Sequence, residues 1–203
     1  MPSPAPILVD WPSAHAVILE HAARRRGDQP VLVVGVTGPV GSGKSTLAER
    51  LGGTVVSTDS YLPDYDRLPR ESWDDPAHAD LPLLATHLRE LRAGRAASVP
   101  VWSFQSHSRV GYRDLRPERI VVCEGLHALH ALVRPILDLA IFVDAPASVR
   151  WGRCEQRELQ GERGWGVQSA RTFFHEVAEP TFSRLSDGYK RVADVLVVND
   201  GPR

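Results

Sequence analysis

The sequence has few cysteines, no long apolar run and almost no net charge. It contains 203 residues and only two cysteines, Cys123 and Cys154, which excludes a disulfide scaffold and fits the reducing cytoplasm. No apolar run approaches the roughly 18 residues of a membrane span, and the first residues do not resemble a signal peptide. The formal net charge is −1, which argues against broadly electrostatic binding of nucleic acid.

Lysine is also scarce. Lys44 and Lys190 are the only lysines, and every other basic side chain is an arginine. The remaining composition, 42% hydrophobic and 24% charged, is that of an ordinary globular protein, and the length suits one domain. A chain that avoids lysine and yet places one of its two in a glycine-rich stretch points to a specific use for Lys44.

Apolar strands alternate with amphipathic helices along most of the chain. Strands are predicted at 31–36, 54–57, 120–123, 139–143 and 195–198. Helices are predicted at 13–26, 45–51, 81–92, 147–160, 167–177 and 181–192. This alternation predicts an α/β fold with a mostly parallel sheet covered by helices on both faces, and ligands beyond the carboxyl ends of the strands.

Three segments lie outside this alternation. The proline-rich opening, with Pro2, Pro4 and Pro6, is predicted to be a loose arm before a helix that Ser13 caps. Residues 59–80 have no clean period and are predicted to form a surface loop or lid. Residues 99–104 and 110–115 alternate weakly, which predicts a hairpin.

The segment from Gly38 to Ser45 matches the phosphate-loop pattern G-x-x-x-x-G-K-[ST] between a predicted strand and a predicted helix. Such a loop turns its backbone N–H groups toward a polyphosphate, and the following helix adds its positive end. Lys44 is expected to reach the β- and γ-phosphates, and Ser45 to ligate Mg²⁺. A glycine turn without function is the disfavoured alternative. The residues predicted to bind a nucleoside triphosphate here are Gly38, Gly41, Ser42, Gly43, Lys44, Ser45 and Thr46.

Two carboxylates follow predicted strands. Asp59 comes after the second strand and is expected to point toward the γ-phosphate, where it accepts a proton from an attacking hydroxyl or holds Mg²⁺ through water. Glu124 ends the third strand and is a candidate ligand of Mg²⁺ or of its water. A turn residue for Asp59 and a helix N-terminal carboxylate for Glu124 are the alternatives, and for Asp144 a capping role is favoured.

The helix predicted at 147–160 carries arginines on one face, Arg150, Arg153 and Arg157, and Arg163 follows it. Arginines on a lid neutralise the charge of a transferring phosphate. The alternative is a solvated helix whose arginines pair with neighbouring glutamates, namely Glu155, Glu158 and Glu162.

Longer motifs resemble the uridine kinase family of P-loop kinases, over nearly the whole chain after residue 31. The stretch from Pro100 to Arg109 looks like the family's P-x-Y-D-F-x-x-H-x-R, and 58–61, 73–76 and 123–125 look like further family motifs. The resemblance implies Mg²⁺- and ATP-dependent phosphoryl transfer to a small-molecule hydroxyl, the 5′-hydroxyl of uridine or cytidine.

The resemblance also implies roles for single residues. Asp59 is the base for the acceptor hydroxyl, Asp74 binds ribose hydroxyls, and His107 touches the pyrimidine edge. Glu124 serves Mg²⁺. The other residues implied for the acceptor site are Tyr61, Trp73, Trp102 and Phe104. The resemblance places Arg153, Arg157 and Arg163 in or near the lid. It implies that Arg153 binds the nucleotide. It also implies that Arg157 and Arg163 are catalytic, together with Lys44 and Asp59.

The departures from the family pattern fall on the positions that read the base. Trp102 stands at a tyrosine position, which removes a phenolic hydrogen bond, and Ser103 replaces an aspartate. Leu62 stands where a second aromatic residue is usual, and Trp165 and Cys154 stand at arginine positions. The acceptor can therefore be another hydroxyl metabolite instead of a nucleoside.

A regulatory P-loop ATPase is the alternative from another functional class. Neither lysine follows an asparagine, so the N-K-x-D guanine signature of the switch GTPases is absent. The whole chain, 1–203, is predicted to be one kinase domain, with an N-terminal arm and helix at 1–30, an acceptor region at 59–115 and a lid at 147–166. The expected partner is a small hydroxyl acceptor, and homo-oligomer formation stays open.

Overall fold

A parallel sheet of short, valine-rich strands forms the centre of the molecule. The computed structural model describes residues 5–26, 29–161 and 164–201. Its strands are β1 (Ile7–Asp10), β2 (Leu32–Thr37), β3 (Thr54–Ser57), β4 (Ala97–Ser103), β5 (Ser108–Leu115), β6 (Ile120–Glu124), β7 (Leu139–Asp144) and β8 (Val195–Val198). Within these ranges the main sheet has the order β1-β8-β7-β2-β6-β3, and every pairing in it is parallel.

Helices cover both faces of this sheet. They are α1 (Trp11–Arg26), α2 (Lys44–Leu51), α3 (Leu81–Arg92), α4 (Ala147–Leu159), α5 (Val167–Phe173) and α6 (Glu179–Val192). One apolar cluster joins α1 and α2 to the sheet, and the other joins α3 and α6 to its opposite face. The predicted α/β fold with a mostly parallel sheet is confirmed. Among the described residues, no helix combines the length and apolarity needed to cross a bilayer.

The N-terminal segment differs from its prediction. Pro2 and Pro4 lie outside the described residues, but the residues from Ile7 onward form strand β1, which pairs with β8 at the edge of the sheet. The helix after it begins at Trp11, and its cap is Asp10, whose carboxylate accepts a hydrogen bond of 3.1 Å from the Ser13 amide. The prediction of Ser13 as the cap was therefore wrong, because a carboxylate three residues earlier already satisfies that amide.

The segment predicted as a surface loop or lid, 59–80, is irregular and largely at the surface, but five of its side chains are buried, namely Tyr61, Leu62, Tyr65, Asp74 and Ala79. It forms three single-turn 3₁₀ helices, at Thr58–Tyr61, Tyr65–Arg67 and Arg70–Ser72. Tyr61 and Leu62 are buried in the cluster beneath α3. Aromatic side chains at irregular spacing have no helical or strand period, yet each buries a large apolar area when a neighbouring element covers it.

The hairpin and the C-terminal helices complete the fold. Strands β4 and β5 pair antiparallel with a bulge between Val101 and Trp102, which confirms the predicted hairpin. The helices predicted at 167–177 and 181–192 are continuous, because a π-helical turn at Phe174–Ala178 joins α5 to α6. A π-helical turn of this kind often accompanies a functional site.

Candidate active site

The glycine-rich loop joins the carboxyl end of β2 to the start of α2. Gly41 and Gly43 have φ angles of 78° and 102°, in the left-handed region that favours glycine. A Cβ on Gly43 would stand 2.5 Å from the Asn199 side-chain nitrogen, and one on Gly41 would stand 2.6 Å from the Arg150 carbonyl oxygen. The loop is therefore packed from outside and keeps its inner surface free of side chains, as a phosphate cradle requires.

A buried hydroxyl in the loop has no protein partner. Within the described ranges, the Ser42 Oγ makes no hydrogen bond although the residue is fully buried. Lys44 begins α2, and Thr46 lies on the same first turn. The positive end of a helix together with a lysine fits an anionic ligand such as a triphosphate.

The two predicted Mg²⁺ ligands are in direct contact. The Ser45 hydroxyl donates to a Glu124 carboxylate oxygen at 3.0 Å. The sheet register explains the meeting, since Glu124 ends β6 opposite Val36 of β2 on one side and Ser57 of β3 on the other. Adjacent ligands of an octahedral Mg²⁺ with bonds of about 2.1 Å stand about 3 Å apart, so this pair of oxygens fits a hard divalent cation.

The surroundings of Glu124 favour the neutral form of its carboxyl, whose pKa is raised. Burial raises the pKa of its carboxyl, the carboxylate of Asp59 raises it further, and the ammonium of Lys44 opposes both. Asp59 stands in the 3₁₀ turn directly after β3, and its amide donates to the Ser57 hydroxyl at 3.3 Å. A carboxyl in such a position gains from a cation that neutralises it, which is a second feature that fits Mg²⁺.

Two of the predicted lid arginines are built into the body of the protein. Arg153 is buried, and its guanidinium donates to the carbonyl oxygens of Gly41 at 3.1 Å and Gly201 at 2.6 Å and to the Asn199 side chain at 3.0 Å. The Asn199 side chain in turn donates to the Ser42 carbonyl at 2.7 Å. Arg153 thus fastens the phosphate loop to the segment after β8.

Arg150 is buried on the same face of α4. It donates to the Glu179 carboxylate at 2.7 Å and to the Ala145 carbonyl at 2.8 Å. The alternative of a solvated helix with local arginine–glutamate pairs is thereby corrected for Arg150, whose partner is on another helix. Arg157, one turn further, is half-buried and donates to the Cys154 sulfur at 3.5 Å. Arg163 lies outside the described residues.

A second pocket begins at Lys44 and Asp59 and runs toward the hairpin. It is lined by Val40, Lys44, Asp59, Leu62, Tyr65, Asp74, Phe104, Leu126, Trp165 and Phe173. The structure therefore brings two predicted acceptor residues, Asp74 and Phe104, into one cavity with the predicted base Asp59.

Asp74 is held by its own segment. It is 5% exposed, and its carboxylate accepts a hydrogen bond from the Tyr65 hydroxyl at 3.2 Å. The Trp73 ring stacks on Tyr65 with centroids 4.3 Å apart, and its indole nitrogen donates to the carbonyl oxygens of Tyr65 and Leu68. Trp73, predicted to bind substrate, therefore also fixes the turn that presents Asp74.

His107 lies in an aromatic stack at the rim of this pocket. Its ring lies between Trp165, with centroids 4.8 Å apart, and Tyr65, with centroids 5.7 Å apart. Its φ angle of 51° is left-handed, which the hairpin turn imposes. Trp165 thus covers one face of the side chain that the resemblance assigns to the base.

Four predicted acceptor residues do not line the pocket, namely Tyr61, Trp73, Trp102 and His107, although Trp73 and His107 stack on Tyr65 and Trp165, which do. Tyr61 is 0% exposed, and its hydroxyl is 2.8 Å from the His87 Nδ1 on α3. Trp102 is 9% exposed and packs edge-on against Tyr65. The predictions for Tyr61 and Trp102 therefore need correction on position, because both rings are buried in the core beneath α3 and not in the cavity.

A family model described as the phosphoribulokinase / uridine kinase family matches residues 65–200, more than half of the chain. The chain belongs to this family. It is 33% identical over 186 residues to a uridine kinase of Brevibacillus brevis, with 85% of this chain and 86% of the relative covered. It is also a P-loop kinase in fold and in enzyme class, which confirms the resemblance found from the motifs.

Other similarities are partial or distant. The chain is 31% identical over 179 residues to the inorganic pyrophosphatase TTM2 of Arabidopsis thaliana, covering 83% of this chain but 26% of that protein. A putative fructose transport system kinase from a Silicibacter species shares the fold with a TM-score of 0.68 and 21% identity, over 90% of this chain and 98% of that one.

This protein also has a second cleft beside the phosphate loop, larger than the acceptor pocket. This cleft includes Lys44, Thr46, Arg153 and Arg157. Residues that the motifs did not single out complete it: Trp11, Pro12, Arg50, Asn199, Asp200 and Gly201. The position of Asn199 after the last strand was an available signal, whereas no motif marks Trp11 or Arg50.

Proposed function

We propose that the chain transfers the γ-phosphoryl group of ATP, with Mg²⁺, to the hydroxyl of a small molecule, first of all the 5′-hydroxyl of uridine or cytidine. One observation carries the proposal. Lys44 and Asp59 line the same cavity as Asp74, so a phosphate-binding lysine, a candidate base and a candidate hydroxyl-binding carboxylate share one space.

The nucleotide side uses the loop amides, Lys44 and the first turn of α2. Arg153 acts here by holding the loop, through carbonyl oxygens, in the shape that receives phosphate. Ser45 and Glu124 would hold Mg²⁺. When bound, the ion neutralises charge on the β- and γ-phosphate oxygens.

The acceptor side uses two carboxylates. Asp74 accepts hydrogen bonds from hydroxyls of the acceptor and so orients it. Asp59 takes the proton from the attacking hydroxyl as its oxygen bonds to the γ-phosphorus. The bond from phosphorus to the β-γ bridging oxygen breaks, and ADP leaves with that electron pair. Arg157 and Arg163 supply positive charge at the transferring group.

A kinase for a different hydroxyl metabolite is the second candidate. The observation that favours it is the Trp165 ring, which lines the pocket and stacks on the face of His107 with centroids 4.8 Å apart, because an indole occupies the pocket at a position where the family pattern has an arginine. Trp102 lies beneath Tyr65 and adds no group to the pocket. Trp102 and Trp165 are two of the positions where the sequence departs from the family pattern.

The domain organisation, the compartment and the partner are proposed on the same basis. We propose that residues 1–203 act as one kinase domain in which the lid is limited to the end of α4 and the segment after it. Both cysteines are free and buried, which supports a reducing compartment such as the cytoplasm. The partner is a small hydroxyl compound, and self-association is left to measurement.

The test is ADP release from Mg·ATP with uridine, cytidine and a panel of other hydroxyl metabolites. Stimulation by uridine or cytidine that is lost in Lys44→Ala and Asp59→Asn supports the first candidate. Lys190→Ala, at the only other lysine, and Asp66→Asn, an exposed carboxylate of the same segment, are matched controls. Stimulation only by another compound favours the second candidate. Slow turnover that no acceptor stimulates favours a regulatory ATPase and overturns both.

A further inference from the structure

The large cleft beside the phosphate loop has an aromatic wall that neither the motifs nor the family match assigns. Trp11, which lies before the matched region 65–200, lines this cleft together with Arg50 from the last turn of α2. The phosphate loop lines the same cleft, with Lys44 and Thr46. A ligand that fills the cleft therefore contacts both the anion-binding loop and an indole.

The sheet topology brings Trp11 to this position. Strand β1 runs parallel to β8 with Asp10 opposite Val198, so the residues that follow, Trp11 and Asn199, leave the sheet at the same edge. The Cη2 atom of Trp11 lies 3.2 Å from the place where a Cβ on Gly43 would stand. The indole is thus in contact with the backbone of the phosphate loop, close to the start of α2.

Arg50 completes the wall. Its guanidinium carbon lies 5.1 Å from the centroid of the Trp11 ring, within the range of a cation–π contact. Trp11 is half-buried and Arg50 is exposed, so the pair presents surface to the cleft while α1 and α2 hold it from behind. Flat aromatic rings of a ligand gain stacking energy on such a surface, because every nucleobase has a π face.

We propose that Trp11, with Arg50, is the stacking platform for the base of the nucleoside triphosphate. The inference rests on the proposed function, in which the loop from Gly38 to Ser45 receives the triphosphate. Stacking recognises the face of the ring and not its edge, so the platform adds affinity for ATP and GTP alike. It adds nothing for a triphosphate without a base.

Two probes separate the base from the phosphates. Mg·ATP and Mg·tripolyphosphate are titrated by calorimetry into the wild-type chain and into Trp11→Leu and Trp11→Phe. We expect the Kd for ATP to rise about 10- to 100-fold in Trp11→Leu and to be largely restored in Trp11→Phe. The Kd for tripolyphosphate stays at the wild-type value in all three.

Trp151 provides a matched control. It is also half-buried and also lies under an arginine, with the Arg171 guanidinium carbon 5.4 Å from its ring centroid, but it lines neither pocket. Trp151→Leu is expected to bind both probes as the wild type does. Quenching of tryptophan fluorescence by ATP should likewise survive in Trp151→Leu and be lost in Trp11→Phe.

Three results would overturn the inference. Unchanged ATP affinity in Trp11→Leu removes the platform. An equal loss for ATP and tripolyphosphate makes Trp11 a support of the loop and not a contact of the base. A wild-type chain that binds neither probe contradicts the proposed function itself, which the first two results leave intact.

Discussion

The hydroxyl of Ser45 donates a hydrogen bond of 3.0 Å to the carboxylate of Glu124, a residue 79 positions further along the chain. The contact joins the first turn of α2 to the end of β6. It places two oxygen atoms at the spacing of neighbouring ligands in an octahedral site, beside Lys44 and Asp59. The pair is the point at which the phosphate loop and the carboxylate strands meet.

Glu124→Gln should therefore weaken the dependence on Mg²⁺ and slow turnover. The amide keeps the size of the side chain but removes its charge, and we expect kcat to fall by about 100-fold with a higher Mg²⁺ requirement. Kinetics over a range of Mg²⁺ concentrations measure both. Asp144→Asn is the control, since that carboxylate ends β7, which lies on the other side of β2, and pairs with Lys190 at 2.6 Å. An identical Mg²⁺ dependence in the two variants would contradict the metal assignment.

Gly43→Ala should abolish nucleotide binding without unfolding the chain. Its φ angle is 102°, and the added Cβ would stand 2.5 Å from the Asn199 nitrogen, so the loop must move. Calorimetry should show an ATP affinity lower by at least about 10-fold. Gly152→Ala, on α4 with open space around it, should bind normally and be more stable by about 1 kcal/mol. Wild-type affinity in Gly43→Ala would contradict the cradle geometry.

Arg150→Met should destabilise the fold strongly. It leaves the Glu179 carboxylate without the guanidinium that pairs with it between α4 and α6, and we expect a loss of about 3 kcal/mol in the free energy of unfolding. Urea unfolding measures it. The control is Arg24→Met, which breaks a pair with Glu20 whose side chains are 63% and 60% exposed and which should cost less than about 1 kcal/mol. An equal loss in the free energy of unfolding for Arg150→Met and Arg24→Met would show that burial does not strengthen the Arg150–Glu179 pair.

His127 should make the fold sensitive to mild acid. Burial lowers the pKa of its imidazole to about 4, from 6.5. Between these values the unfolded chain holds a proton on this ring that the folded chain does not, so the free energy of unfolding falls as pH falls through that window. At pH 5 the loss is about 2 kcal/mol relative to pH 7.5.

The measurement for His127 is urea unfolding at several pH values between 5 and 7.5. In His127→Gln the free energy of unfolding should depend less on pH, by the amount that the imidazole contributes. This holds whatever the absolute stability of the variant. His78→Gln, at an exposed histidine, should keep the wild-type dependence. If His127→Gln and the wild type lose stability in parallel, another group is responsible.

Asp74→Asn should affect the acceptor and not the nucleotide. The buried carboxylate lines the acceptor pocket, and a hydrogen bond to a charged group contributes about 1.5–3 kcal/mol. We expect the KM of the preferred acceptor to rise about 10- to 100-fold while the KM of ATP is unchanged. Asp75→Asn, its more exposed neighbour, should leave both values close to wild type. A change in the KM of ATP alone would refute this assignment.

Much of the fold and part of the site could be predicted from local patterns. The continuous apolar runs and the helical periods identified the strands from β2 to β8 and the helices between them. The exception at the N-terminus, β1, has only four residues at the edge of the sheet, three of them exposed, so its sequence has no buried run to detect. Single residues such as Tyr61 and Trp102 were assigned by their place in motifs, which says nothing about where a ring points.

The sequence by itself determined the phosphate loop, because eight contiguous residues contain the glycines, the lysine and the hydroxyl that the cradle needs. It also determined the order of strands and helices, since periodicity is a local property. Only the tertiary structure decided that Arg153 holds the loop, that Ser45 meets Glu124 and that Trp11 reaches the cleft. These contacts join residues far apart in the chain, and the sheet order and register that bring them together arise from burial summed over the whole molecule.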